Sequence, residues 1–114
     1  GPQTEGDAKR AAQIMPSLKN EAEANEFISG YMLNMKQREI EQSRFINDYE
    51  SKNDSLKGAR KSWNDYMDST PLIATNKEGL PVFFYDWVND AQKANPGMGR
   101  DQIIEKWRTL YGGR

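Results

Sequence analysis

The sequence predicts an all-α fold: a long helix in an antiparallel hairpin with a second helix, then a C-terminal helix pair, with room for a small β-hairpin at 72–84. Three observations carry that prediction. Between Leu18 and Lys52 there is no proline and one glycine, Gly30, while apolar residues recur at three- and four-residue steps. Lys52-Asn53-Asp54-Ser55 then breaks the pattern with turn and cap residues. Beyond Pro81, two more stretches of helical spacing are separated by Asn95-Pro96-Gly97 and closed by Gly112-Gly113.

In chain order, residues 1–17 are polar, with Gly6, Pro16 and a short apolar cluster at Ala11, Ala12, Ile14 and Met15. They read as a flexible arm holding a helical turn or two, ahead of a single helical domain at 18–114. Gly1-Pro2 has the look of a protease-cleavage scar left by an expression tag. The long helix, 18–52, places Phe27, Ile28, Tyr31, Met32 and Met35 near one end and Phe45, Ile46 and Tyr49 near the other. Between them runs KQREIEQSR, 36–44, where Ile40 is the one apolar residue, so this middle is expected to be solvated. At 1.5 Å per residue such a helix is about 50 Å long.

The second helix is expected over Leu56–Asp68, with Leu56, Ala59, Trp63, Tyr66 and Met67 on its buried face and Pro71 closing it. Asn76-Lys77-Glu78-Gly79 is a turn between short apolar runs, and Pro81 confines any second strand to an edge. A third helix follows from Phe83, Phe84, Trp87, Val88 and Ala91. A fourth starts near Arg100-Asp101 and buries Ile103, Ile104, Trp107, Leu110 and Tyr111.

Composition narrows the function classes. A chain of 114 residues is the size of one domain, and its mean hydropathy of −0.95 is low. Three Trp, five Tyr and four Phe nevertheless supply enough area for a thin core, part of which a partner would complete. With no Cys and no His, thiol nucleophiles, disulfides, Ser-His-Asp arrangements and the usual zinc sites are excluded. No cofactor or metal motif is present. A net charge of −1, with both signs well mixed, gives no broad nucleic-acid footprint. No apolar run approaches the roughly 18 residues of a membrane span, and no signal peptide is visible.

Asn-Asp-Tyr occurs twice, at 47–49 and 64–66. Phe45 lies four residues before Tyr49 and Trp63 three before Tyr66, so an antiparallel pair would bring four rings to one seam. Asn47, Asp48, Asn64 and Asp65 would then point sideways or outward, and the doublet reads as architecture rather than a carboxylate pair. Lys57, Arg60 and Lys61 form a basic stripe, a candidate contact for an anion or nucleic acid. The segment 80–110 shares an aromatic helix, an Asn-Pro turn and a later Ile…Trp…Leu helix with the HMG box. Trp107 comes about one helical turn too soon after Pro96 and the basic arm is missing, so no DNA-contact residue is carried over.

The run from Glu21 to Ile73 resembles helical segments in internal and DNA-ejection proteins of tailed bacteriophages. The shared look is Glu-Ala…Phe-Ile…Tyr, a polar helix, Phe…Tyr, a Ser-Leu-x-Gly turn into Trp…Tyr, then Pro-Leu-Ile. It covers roughly half the chain and consists of helix-hairpin core residues. It implies a virion or bacterial host cytoplasm as the setting and no catalytic residue. The expected role is thus a non-enzymatic protein-protein interaction module. A protein partner or self-association would use Phe27, Ile28, Tyr31 and Met35, the patch without an evident partner inside the chain. The rival expectations are a nucleic-acid-binding helical domain and an accessory domain of a larger cell-wall-degrading enzyme.

Overall fold

A computed structural model describes residues 2–113, leaving Gly1 of the scar-like dipeptide and Arg114 outside the described residues. Among the described residues, five α-helices and one two-stranded sheet follow in the order α1 (Glu5–Ile14), α2 (Glu21–Asn53), α3 (Ala59–Ser69), β1 (Ile73–Thr75), β2 (Pro81–Phe83), α4 (Phe84–Ala94) and α5 (Arg100–Tyr111). The all-α architecture, the helix hairpin, the C-terminal pair and the small hairpin within 72–84 are all present. No helix among the described residues is long and apolar enough to cross a membrane.

The stretch read as a flexible arm contains α1. Thr4 caps it: its Oγ1 accepts from the Asp7 N–H at 3.1 Å while its own N–H donates to the Asp7 carboxylate at 3.2 Å. Ala11 and Ile14 are buried, and Asp7 is fully buried, accepting from Arg10 at 2.7 Å and from the Leu72 N–H at 2.8 Å. A short polar segment with few apolar residues reads as an arm. What holds it is a carboxylate bonded to backbone 65 residues away.

Asn20 caps α2 by accepting from the Glu23 N–H at 2.9 Å. The helix runs the molecule's longest dimension of 50 Å. At Gly30 the helix meets β2 closely: a Cβ there would lie 2.5 Å from the Phe83 ring. The helix tolerates the weak helix former because that ring fills the space. Asp54 ends α2 in the left-handed region (φ 55°), and Gly58 starts α3 the same way (φ 83°). Tyr49 braces this turn by donating its hydroxyl to the Lys57 carbonyl at 2.7 Å.

The hairpin seam is aromatic: Phe45 to Trp63 is 5.3 Å, Phe45 to Tyr66 5.9 Å and Trp63 to Tyr66 5.4 Å between ring centres. Three of the four expected rings meet there, and Tyr49 serves the turn instead. Asn47, Asp48, Asn64 and Asp65 are exposed. Leu56 corrects the expected second helix, because it sits on the turn before α3 and is exposed rather than buried. Leu110 is likewise exposed, on the outer side of α5.

β1 and β2 pair antiparallel with Ile73 opposite Phe83 and Thr75 opposite Pro81. The Asn76 side chain closes their turn by accepting from the N–H groups of Glu78 and Leu80, each at 3.0 Å. β2 passes directly into α4, which packs on α5 through Phe84, Trp87 and Trp107, with both other rings within 5.5 Å of Trp107. The Trp107 indole N–H donates to the Pro71 carbonyl at 3.1 Å. Leu72, Ile73, Phe84, Val88, Ile103 and Trp107 make the fully buried centre.

Candidate functional site

The four residues expected to form a protein interface do not share one surface. Phe27 is buried, its ring 5.4 Å from Phe83 and 6.1 Å from Tyr31. Tyr31 and Met35 are half-buried against the same core. The patch without an evident partner inside the chain has one after all, because the hairpin strand β2 supplies a covering ring, Phe83. Ile28 alone of the four is exposed, and on the same helix Met32, one turn along, and Leu33 are 61% and 67% exposed. The exposed side of α2 thus carries Met32, which the spacing places with the patch, and Leu33, which it passes over, among the polar Asn25, Ser29 and Lys36.

The basic stripe also changes shape. Lys57 lies on the turn ahead of α3 rather than on the helix, while Arg60 and Lys61 occupy its first turn. All three are exposed. Lys61 pairs with Asp65 at 2.7 Å, and Lys57 and Arg60 have no ion-pair partner among the described residues.

The most organised polar cluster lies in the stretch expected to be solvated. Arg38 is fully buried, whereas Ile40, the apolar residue of that stretch, is 39% exposed. Helical geometry explains the inversion: Asn34, Arg38, Glu41 and Phe45 follow one another at three- and four-residue steps and continue the stripe of Phe27 and Tyr31. The spacing was available in the sequence, but its carriers are polar.

Arg38 donates through Nε to the Tyr85 hydroxyl at 2.8 Å and through Nη2 to the Thr70 carbonyl at 2.8 Å. Its guanidinium carbon lies 5.2 Å from the Phe84 ring centre, 5.5 Å from Tyr85 and 5.8 Å from Tyr66. Nη1 is buried without a hydrogen-bond partner, and the ring faces offset part of that cost. The Tyr85 hydroxyl donates onward to Glu41, and the Tyr66 hydroxyl donates to the same carboxylate at 3.0 Å. Arg100, from the start of α5, reaches it at 3.5 Å. Burial, reinforced by the Glu41 charge, pushes the Tyr66 phenol far above its ordinary range. Burial does the same to Tyr85, with the Arg38 charge pulling the other way and Glu41 adding to the rise. Both tyrosines are thus held as neutral donors.

Glu41 borders a groove of about 700 Å³ with Arg44, Arg100 and Arg108 on one account and Asp48 and Asp101 on the other. With Glu41 counted, three acids and three arginines line it. With three donors converging on Glu41, its lone pairs are largely taken up, and the arrangement works as a lock between α2, α3, α4 and α5. Among the described residues, no group of three or more acidic side chains is placed to hold a metal ion.

No protein-family model, no curated protein and no solved structure matches this chain.

Proposed function

We propose that this chain is a non-enzymatic protein-interaction module of a bacteriophage virion or DNA-ejection assembly, docking another protein on the outer face of α2. The observation that carries the docking face is the exposed trio Ile28, Met32 and Leu33 on a helix whose opposite side is already packed. A docked partner would remove Met32 and Leu33, neighbours in sequence and both more than half exposed, from water. The virion setting draws its support from the resemblance of residues 21–73, whose quoted residues include the seam rings Phe45, Trp63 and Tyr66. Phe27 leaves the proposed surface, because Phe83 covers it.

The test is photo-cross-linking. A photoreactive residue at position 33 should give a discrete adduct with one protein of the particle or host extract. The same residue at position 90, exposed on α4, should give none. Identical adducts from both positions, or none from either, would remove the proposed docking face.

A further inference from the structure

The two ends of the molecule differ in chemistry. Because α2 spans the long dimension, its first and last turns mark opposite poles. At the first pole, a groove of about 560 Å³ opens between the start of α2 and the 76–80 turn. Leu18, Phe27, Leu80, Pro81 and Phe83 give it an apolar lining, and Leu80 is 59% exposed. Glu23, Glu26 and Glu78 line it too, against the single cation Lys19.

At the other pole the chain turns from α2 into α3, and Leu56 stands on that turn 52% exposed. Near it in sequence are Lys52, Lys57, Arg60 and Lys61, against Glu50 and Asp54. Lys57 and Arg60 have no ion-pair partner among the described residues. One pole thus offers an acid-lined apolar groove, and the other offers an apolar side chain among bases.

We infer that the groove at the first pole takes the Leu56 turn of a second copy, so that chains join head to tail. Seating Leu56 among Leu18, Leu80 and Pro81 removes apolar surface from water. It also brings Lys57 and Arg60 toward Glu26 and Glu78. Two different patches meeting in this way form a heterologous contact, which extends into open chains or closes into rings. One turn in one groove falls below the roughly 1,200 Å² of a standard stable interface, so assembly is weak and driven by concentration. Its charged part is screened by salt. The contact uses neither Met32 nor Leu33 and stands apart from the docking face proposed above.

Sedimentation equilibrium of the full chain over a wide concentration series tests the inference. At low salt the mass should grow past the dimer, and high salt should reduce it. Leu56→Asp and Leu80→Asp alter exposed residues, should keep the helical spectrum and should each be monomeric. Mixed in equal amounts, they retain one intact groove and one intact turn between them. The mixture should therefore yield a species of twice the chain mass and nothing larger. Should either variant lose its helical spectrum, Lys57→Gln/Arg60→Gln replaces it and should weaken assembly several-fold. Met32→Asp/Leu33→Asp should assemble like the parent chain. A parent chain that stays monomeric at low salt, growth that stops at the dimer, a mixture that stays monomeric, or loss of assembly in Met32→Asp/Leu33→Asp would each overturn the inference.

Discussion

Replacing Arg38 with alanine strips two hydrogen bonds of 2.8 Å from a fully buried cation and opens a space beneath Phe84. A hydrogen bond to a charged group contributes about 1.5–3 kcal/mol. Removing one member of a buried ionic network costs about 3–5 kcal/mol because the partner charge, here Glu41, is left uncompensated. The expected loss is thus about 3–5 kcal/mol, or about 12–20 °C in Tm at about 4 °C per kcal/mol. Ile40, two residues along and 39% exposed, should cost about 1 kcal/mol as Ile40→Ala, because only part of its side chain is removed from water. Arg38→Lys should not restore stability, since an ammonium cannot donate in the two fixed directions that Tyr85 and Thr70 require. Urea unfolding followed by tryptophan fluorescence gives all three values. If Arg38→Ala costs less than Ile40→Ala, the buried lock is not what holds α2 in place.

Trp63→Ala and Trp107→Ala should each cost about 3–5 kcal/mol, while Asp48→Asn and Asp65→Asn should stay within about 0.5 kcal/mol by the same assay. Trp107→Phe should cost more than Trp63→Phe, because the Trp107 indole donates to Pro71 whereas the Trp63 indole N–H has no partner. Asp7→Ala should cost about 3 kcal/mol and expose the bond region around Arg10 to limited trypsin cleavage, since Asp7 ties α1 to Leu72. Tyr66 and Tyr85 keep their protons in the fold above the ordinary value of 10.0, where the unfolded chain releases them. Stability should therefore be unaffected by these groups below about pH 10 and fall as pH rises beyond it. In an alkaline absorbance titration, these two phenols should ionise last, together with loss of the helical signal.

Much of the fold was legible because its signals are local. The uninterrupted spacing of 18–52, the stop at Asn53-Asp54-Ser55, the Asn76 turn and the breakers at Asn95-Pro96-Gly97 each act within a few residues. Phe45, Trp63 and Tyr66 then meet as their spacing requires. What escaped depends on distant partners. Arg38 is buried because Thr70 and Tyr85, 32 and 47 residues away, receive its donors. A reading that treats charge as solvated assigns it to water. Asp7 escaped for the same reason, and α1 with it. Leu56 and Leu110 failed in the opposite sense: both continue an apolar spacing, yet one lies on a turn and the other beyond the packed side of its helix. The candidate interface failed at Phe27 because the covering ring comes from a three-residue strand, too short to announce itself as a lid.

Asn34 and Arg38 also index the long helix. They stand one turn apart, and each grips backbone elsewhere: Asn34 accepts from the Tyr85 N–H at 2.9 Å, and Arg38 holds the Thr70 carbonyl. A slip of α2 by one turn, about 5.4 Å, would set Asn34 in the seat of Arg38 and Arg38 in that of Gln42. Layers of Met35 and Tyr31 could repack around such a slip, but the two polar pegs could not find new holes. The helix is therefore a keyed shaft rather than a greased one. The two contacts fix its height and its rotation against the Thr70 and Tyr85 backbone together.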